Sequence, residues 1–202
     1  MPRTKKDVVT EFRTGEILQA AYHVFAERGF EQATMDEIAR EAGVAKGTLY
    51  LYYPSKQDIY SAALHRSVVE LAARTAEAVA GASSIEEKIQ AFIGVKLRYF
   101  EEHRDFFRIY DSEFGRAFCR HGQKARQFDE LYLEQVKAID HVLQQSVRRK
   151  AIRPVRTEAV AFALFDITRG LVMQRLRSAS RSSIEDDIAF AFDLMWKGIG
   201  HR

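Results

Sequence analysis

Residues 34–56 read TMDEIAREAGVAKGTLYLYYPSK, two short helical segments with a tight turn between them, and the organisation of the chain follows from this stretch. Thr34 can accept a hydrogen bond from the backbone N–H three residues on, while Glu37 can reach back to the N–H of Thr34; this capping box fixes a helix start. Ile38, Ala39 and Ala42 then share one face, with Asp36, Glu37, Arg40 and Glu41 largely on the other. Gly43 stands where a left-handed residue is needed to end the helix, and Val44 folds back onto its last turn.

The second helix, over 45–52, has an outer face made for contact. Lys46, Gly47, Thr48, Tyr50 and Tyr52 outnumber its expected core residues, Leu49 and Leu51. Gly47 costs on the order of 1 kcal/mol relative to alanine inside a helix, and close approach of backbone to a phosphate would compensate for it. Pro54 stops the helix. Ser55 with Asp58 forms another capping box, and Lys56 lies in the first turn of the helix that follows, where a phosphate would be favoured. The pattern is a helix-turn-helix, which makes DNA the first partner to consider.

GFEQATMDEIAREAGVAKGTLYLYYPSKQDI, preceded by the helix ILQAAYHVFAERGF, resembles the N-terminal domain of the TetR family of bacterial transcriptional regulators. The likeness runs from the Gly29-Phe30 helix exit through Thr34, Ile38, Ala39, Ala42, Gly43 and Val44 to Thr48, Tyr50, Tyr52 and Lys56. It implies an all-α fold: a three-helix DNA-binding domain over residues 1–56, then a helical ligand-binding and dimerisation domain over 57–202. It also implies that Thr34, Tyr52 and Lys56 hold phosphates, whereas Ala45, Lys46, Thr48 and Tyr50 face the major groove. Phosphate contacts position a protein and base-edge contacts specify sequence. Lys46 would read a guanine or bind a phosphate, and the methyl groups of Ala45 and Thr48 would touch thymine. Ala45 stands where relatives commonly carry a hydroxyl residue.

The 202-residue chain is large enough for one substantial core or two small domains. Its net charge of +3 is too mild to indicate nucleic acid by composition alone. Within residues 1–56, Arg3, Lys5, Lys6, Arg13, Arg28, Arg40, Lys46 and Lys56 are balanced by Asp7, Glu11, Glu16, Glu27, Glu31, Asp36, Glu37 and Glu41. This domain is net neutral, and weak non-specific DNA binding is expected. The start PRTKK reads as an unstructured basic arm, which would follow the backbone or minor groove or have no role. Cys119 is the sole cysteine, so no intrachain disulfide forms and a reducing interior suits the chain. No apolar run approaches a membrane span, and no signal-peptide apolar region follows the charged N-terminus. A cytoplasmic protein with no membrane partner and no cofactor is expected.

Beyond residue 56 the pattern stays helical, with only three prolines, at 2, 54 and 154. Helices are expected over 56–79, from the Ser83 or Ser84 cap to a break at 103–105, over 124–150, over 157–178 and over 184–200. Tyr99, Phe100, Phe106, Phe107, Tyr110, Phe114 and Phe118 crowd into one stretch, interleaved with His103, Arg108, Cys119 and His121. Such a cluster can line an apolar pocket with a few polar groups, or form ordinary core. The resemblance implies an effector pocket in this part of the chain. It is assigned to Phe100, His103, Phe107, Tyr110, Phe114, Phe118, Phe165 and Arg169, for a bulky hydrophobic or aromatic small molecule, anionic if Arg108 or Arg169 faces inward.

AVAFALFDITRGLVMQ and IAFAFDLMWKGI, within the last two helices, carry more apolar and small residues than one buried stripe requires. They resemble the paired helices through which TetR-family subunits form a homodimer, with Ala163, Gly170, Leu171, Ala191, Leu194 and Trp196 at the interface; a monomer's core is the alternative. A dimer implies a palindromic operator, from which an effector releases a repressor by changing the spacing of its recognition helices. Catalysis has little support. No HExxH, Glu-x-x-His or GxSxG occurs, and the histidines at 23, 65, 103, 121, 141 and 201 lack ligand spacing. A small all-α enzyme with a pocket near His103, Cys119 and His121 is the rival reading, and an adaptor using the motif for protein contact is a third.

Overall fold

The computed structural model describes residues 5–105, 107, 123–177 and 182–200, with side chains at all of these except 5–9, 11 and 123–129. Among the described residues there are eight helices and no strand. They are α1 (Lys5–Gln32), α2 (Met35–Glu41), α3 (Lys46–Tyr52), α4 (Lys56–Gly81), α5 (Ile85–Glu102), α6 (Gln123–Arg148), α7 (Thr157–Leu176) and α8 (Ile184–Ile199). By packing the chain divides into two compact units, Met1–Ser67 with Asp105–Phe118, and Val68–Arg104 with Cys119–Arg202. The division falls inside α4 rather than at its start, because the first turns of α4 belong to the core of the first unit.

In that first unit α1 packs on α2, and α2 on α3. Ile17, Ala21 and Phe25 of α1, Ile38 and Ala39 of α2, Leu49 of α3, and Ile59 and Ala63 of α4 are all buried. The phenol of Tyr22 donates to the carbonyl of Ala63, and its oxygen lies 2.6 Å from Ser67 Oγ. Phe25, Phe30 and Tyr60 form a ring cluster with centroid separations of 4.9–5.8 Å. The chain turns at Gly29 (φ 75°), a left-handed conformation that strains any side chain. Asp105 joins this unit through His23, whose Nδ1 lies 3.7 Å from its carboxylate.

Two sequence expectations change here. Helix α1 begins at Lys5, so Lys5 and Lys6 of the expected arm are helical; residues 1–4 lie outside the described residues. Leu51 is 85 % exposed and no part of the core: α3 is too short to bury both leucines, and Leu49 alone points inward.

In the second unit α5 is central, packing on α7 and α8, with α6 against α7. Ile89, Phe92, Ile93, Leu97 and Phe100 of α5 meet buried residues of α7 (Ala161, Leu164, Phe165, Val172) and α8 (Ala191, Met195, Ile199). Capping boxes start α5 at Ser84 and α8 at Ser183. At the end of α6 the N–H of Ala151 bonds Ser146 O and that of Lys150 bonds Val147 O, with Lys150 left-handed at φ 59°. No described helix is long and apolar enough to cross a membrane.

Candidate nucleic-acid interface and interior aromatic site

The turn between α2 and α3 is built as its sequence requires. Glu37 N–H donates to Thr34 Oγ1 (3.2 Å), and Thr34 N–H donates to Glu37 Oε2 (3.0 Å). The Thr34 hydroxyl also donates to Glu37 Oε2 (2.9 Å), and this bond first, then that from the Thr34 N–H, holds the Glu37 carboxyl below its usual range. At the far end Val44 N–H bonds Ala39 O and Gly43 N–H bonds Arg40 O, the paired bonds of a Schellman ending, with Gly43 at φ 63°. Two bonds at each end thus fix where α3 begins.

Ala45, Lys46, Gly47, Tyr50 and Leu51 present an exposed face, while Thr48 and Tyr52 are partly covered. A Cβ added at Gly47 would meet nothing within 4 Å, so the backbone is open to close approach. The ammonium of Lys46 lies 2.6 Å from Asp36 on α2, and this hydrogen bond raises the lysine's pKa. Lys56 is engaged more deeply. It donates to Glu31 O (3.0 Å) and Ala33 O (2.7 Å), and sits 4.6 Å from the centroid of Phe30. It therefore ties the end of α1 to the start of α4, and an ammonium has one further donor for a phosphate. Sequence reasoning missed this tie, which joins residues far apart in the chain, and it missed Leu51 as a surface residue. The signal for Leu51 was present, since it sits two positions from Leu49 and so on another side of the helix.

The residues expected to line an effector pocket are only partly brought together. Phe100 and Phe165 are buried in the second unit, and Arg169, on α7, lies 3.4 Å from Asp166. His103 ends α5 with its ring 4.2 Å from that of Tyr99, and its Nε2 is buried without a hydrogen bond. Phe107 is buried but belongs to the first unit. Tyr110, Phe114 and Phe118 lie outside the described residues, as do Cys119 and His121. What the sequence did not single out is Lys96, which is 8 % exposed, with its ammonium 3.8 Å from the Phe165 ring centroid and 4.8 Å from that of Phe92. Burial lowers its pKa to about 7. No described group of histidine, cysteine or carboxylate side chains could hold a metal ion.

Among the expected dimer residues, Leu171 and Ala191 are buried within the chain itself. Ala163 and Gly170 are exposed, Leu194 is 54 % exposed, and Trp196 stacks on Phe192 with centroids 5.5 Å apart. Phe190, which sequence reasoning passed over, is 58 % exposed and shares a shallow groove with Leu194 and Lys197.

Residues 17–63 match the family model of bacterial regulatory proteins of the tetR type. The transcriptional activator FasR of Mycolicibacterium smegmatis is 27 % identical over 193 residues, covering 94 % of this chain and 84 % of FasR. Its residues 17–63 form a DNA-binding domain of the TetR family. Among other TetR-family relatives, the transcriptional repressor KstR2 of Mycobacterium tuberculosis is 28 % identical over 142 residues, 70 % of each chain. The structure of FadR from Bacillus subtilis, in complex with stearoyl-CoA, superposes with a TM-score of 0.77 at 20 % identity, covering 91 % of this chain and 97 % of that one. With that domain and relatives named as transcriptional regulators, it is a DNA-binding transcriptional regulator and not an enzyme, which sets aside the catalytic reading of His103, Cys119 and His121. The matched segment holds the whole α2–turn–α3 surface, and with it every residue to which the sequence assigned a DNA contact.

Proposed function

We propose that this regulator binds a palindromic operator as a homodimer and represses from it, and that a small apolar or aromatic effector releases it. The exposed face of α3 carries this reading: its backbone is open at Gly47, and its contact residues project from a helix whose start is fixed by two capped turns. Ala45, Lys46, Thr48 and Tyr50 read the major groove, joined by Leu51, whose exposed side chain suits a thymine methyl. Thr34, Tyr52 and Lys56 hold phosphates. Residues 1–56 form the DNA-binding domain and 57–202 the effector-binding and dimerisation domain, acting in the cytoplasm where the operator lies.

The dimer surface comprises the exposed side chains of α7 and α8, namely Ala163, Gly170, Phe190 and Leu194, with Trp196 beside them. Large apolar side chains on a helix whose other face is already buried are a common mark of an interface. Two copies related by a two-fold axis set their α3 helices about 34–36 Å apart, or at a related spacing, to reach successive major grooves. An effector that binds better at another spacing weakens operator binding by its differential affinity. The stearoyl-CoA bound by FadR and the name of KstR2 as a repressor support an acyl or similarly bulky effector and repression, whereas FasR is named an activator.

The test is selection of bound duplexes from a random pool at near-physiological salt, with wild type beside a Lys46→Ala, Thr48→Ala double variant. A palindromic motif enriched by wild type alone is expected. Equal enrichment by both proteins removes α3 as the reader, and no enrichment by either favours an adaptor role.

A further inference from the structure

Lys96 is a buried lysine inside an apolar interior, with nothing of opposite charge beside it among the described residues. Its neighbours along α5, Phe92, Ile93, Leu97 and Phe100, are all buried, and its nearest described partners are two ring faces. Several carboxylates of the second unit are engaged elsewhere, and Asp140 of α6, which accepts from Gln144 through Oδ2 and keeps a buried Oδ1 without a hydrogen bond, forms no ion pair with Lys96. Asp187 of α8 holds Arg175 at 2.6 Å and Ser182 at 2.6 Å, Glu101 takes Arg175 and Arg104, and Glu70 and Glu102 share Arg74. Glu185 faces Arg98, and Asp166 faces Arg169 on α7. Among the described residues no acid lies within ion-pair distance of Lys96.

A cation–π contact recovers only part of what taking an ammonium out of water costs. The contact therefore leaves the rest of the cost standing, and burial alone accounts for the fall of the pKa to about 7. A path of rings leads away from the ammonium: Phe165 meets Tyr132 edge-on at 5.2 Å, and Tyr132 meets the partly exposed Phe162 at 6.1 Å. The phenol of Tyr132 is itself raised by burial first, then by Asp166, against the opposing pull of Arg169. Apolar surroundings with one unpaired interior cation match one chemistry, an amphiphile with an acidic head.

We propose that Lys96 is the anchor of the effector site, and that the effector is an apolar carboxylic acid whose carboxylate meets the Lys96 ammonium while its body lies along Phe165, Tyr132 and Phe162. This rests on the reading of the protein as an effector-responsive regulator. The free acid is the ligand; an ester or thioester of the same acid has no charge at the acyl carbon, where the lysine needs it. An acid entering near neutral or mildly alkaline pH draws a proton onto Lys96, so binding is linked to proton uptake.

Oleate and cholate, a straight-chain and a polycyclic acid, are titrated against full-length protein by calorimetry, each beside its methyl ester and coenzyme A thioester. At about pH 8, in buffers of differing ionisation enthalpy, at least one acid is expected to bind with uptake of close to one proton, and its ester about tenfold or more weakly. Lys96→Met abolishes both the preference for the acid and the proton uptake, while Lys96→Arg keeps the preference. Melting of Lys96→Met at or above the wild-type temperature shows that its loss of binding is not a loss of fold. The assignment is overturned if neither acid binds, if ester or thioester binds wild type as tightly as the acid, or if Lys96→Met still takes up the proton. Operator binding by the same samples separates the two readings. Release by an uncharged ester or a thioester keeps the effector-responsive regulator and removes Lys96, whereas absence of any operator binding removes the regulator and leaves the acid titration to stand by itself.

Discussion

Gly43 and Lys150 occupy the same left-handed position after the last turn of a helix, and they respond to substitution in opposite ways. At Gly43 (φ 63°) a Cβ has open space around it, so the cost of Gly43→Ala is conformational alone. Urea unfolding should show a loss of about 1 kcal/mol. Lys150 (φ 59°) already bears that cost, and Lys150→Gly is expected to gain up to about 1 kcal/mol by the same measurement. Lys96 gives a prediction in pH. Its folded pKa of about 7 lies below the 10.5 of the ordinary side chain, so between these values the unfolded chain holds a proton that the folded chain lacks. Stability therefore rises with pH across this window, and the deficit is complete below it. Urea unfolding at about pH 7 and about pH 9 should show wild type gaining on Lys96→Met, and parallel behaviour would refute the shift.

The helices were the most legible elements. The capping boxes at Thr34, Ser84 and Ser183 and the ending at Gly43 depend on neighbours in sequence, so their boundaries could be read within a residue or two. Contacts between distant segments could not be read in this way. The bonds of Lys56 to Glu31 and Ala33, the isolation of Lys96 among rings and the pairing of Lys46 with Asp36 each depend on how helices pack, and periodicity reports only which face is apolar. Residue type was a poor guide at Lys96 for the same reason, since lysine in a helix is nearly always solvated. The outward residues of α3 were largely legible because a short helix between two fixed turns leaves few choices, and Leu51 was misplaced by reading hydrophobicity without direction. At this scale, Asp36→Asn removes the carboxylate that occupies Lys46. Tighter operator binding in a fluorescence titration is expected, with the fold unaffected because both side chains are more than half exposed.

For the whole molecule, the proposed dimer rests on the exposed apolar residues of α7 and α8, and association is its first test. Light scattering should give twice the chain mass of 23.2 kDa. A Phe190→Glu, Leu194→Glu double variant should run as a monomer that retains its helical circular dichroism, since both side chains are exposed in the chain. Its operator affinity should fall toward that of a single half-site. The pair formed by Lys46 and Asp36 also bears on how this dimer responds to its ionic surroundings. A lysine whose charge is already matched by a carboxylate holds little condensed anion, and on reaching DNA it exchanges one fixed anion for another. Asp36 is then left to be neutralised by a cation from solution, which offsets the cation expelled from the DNA by Lys46. Each subunit should thus contribute about one unit less to the slope of log K against log salt than its phosphate contacts would suggest. The regulator would hold its operator through swings in ionic strength that dislodge more openly basic proteins, and Asp36→Asn would trade that constancy for grip.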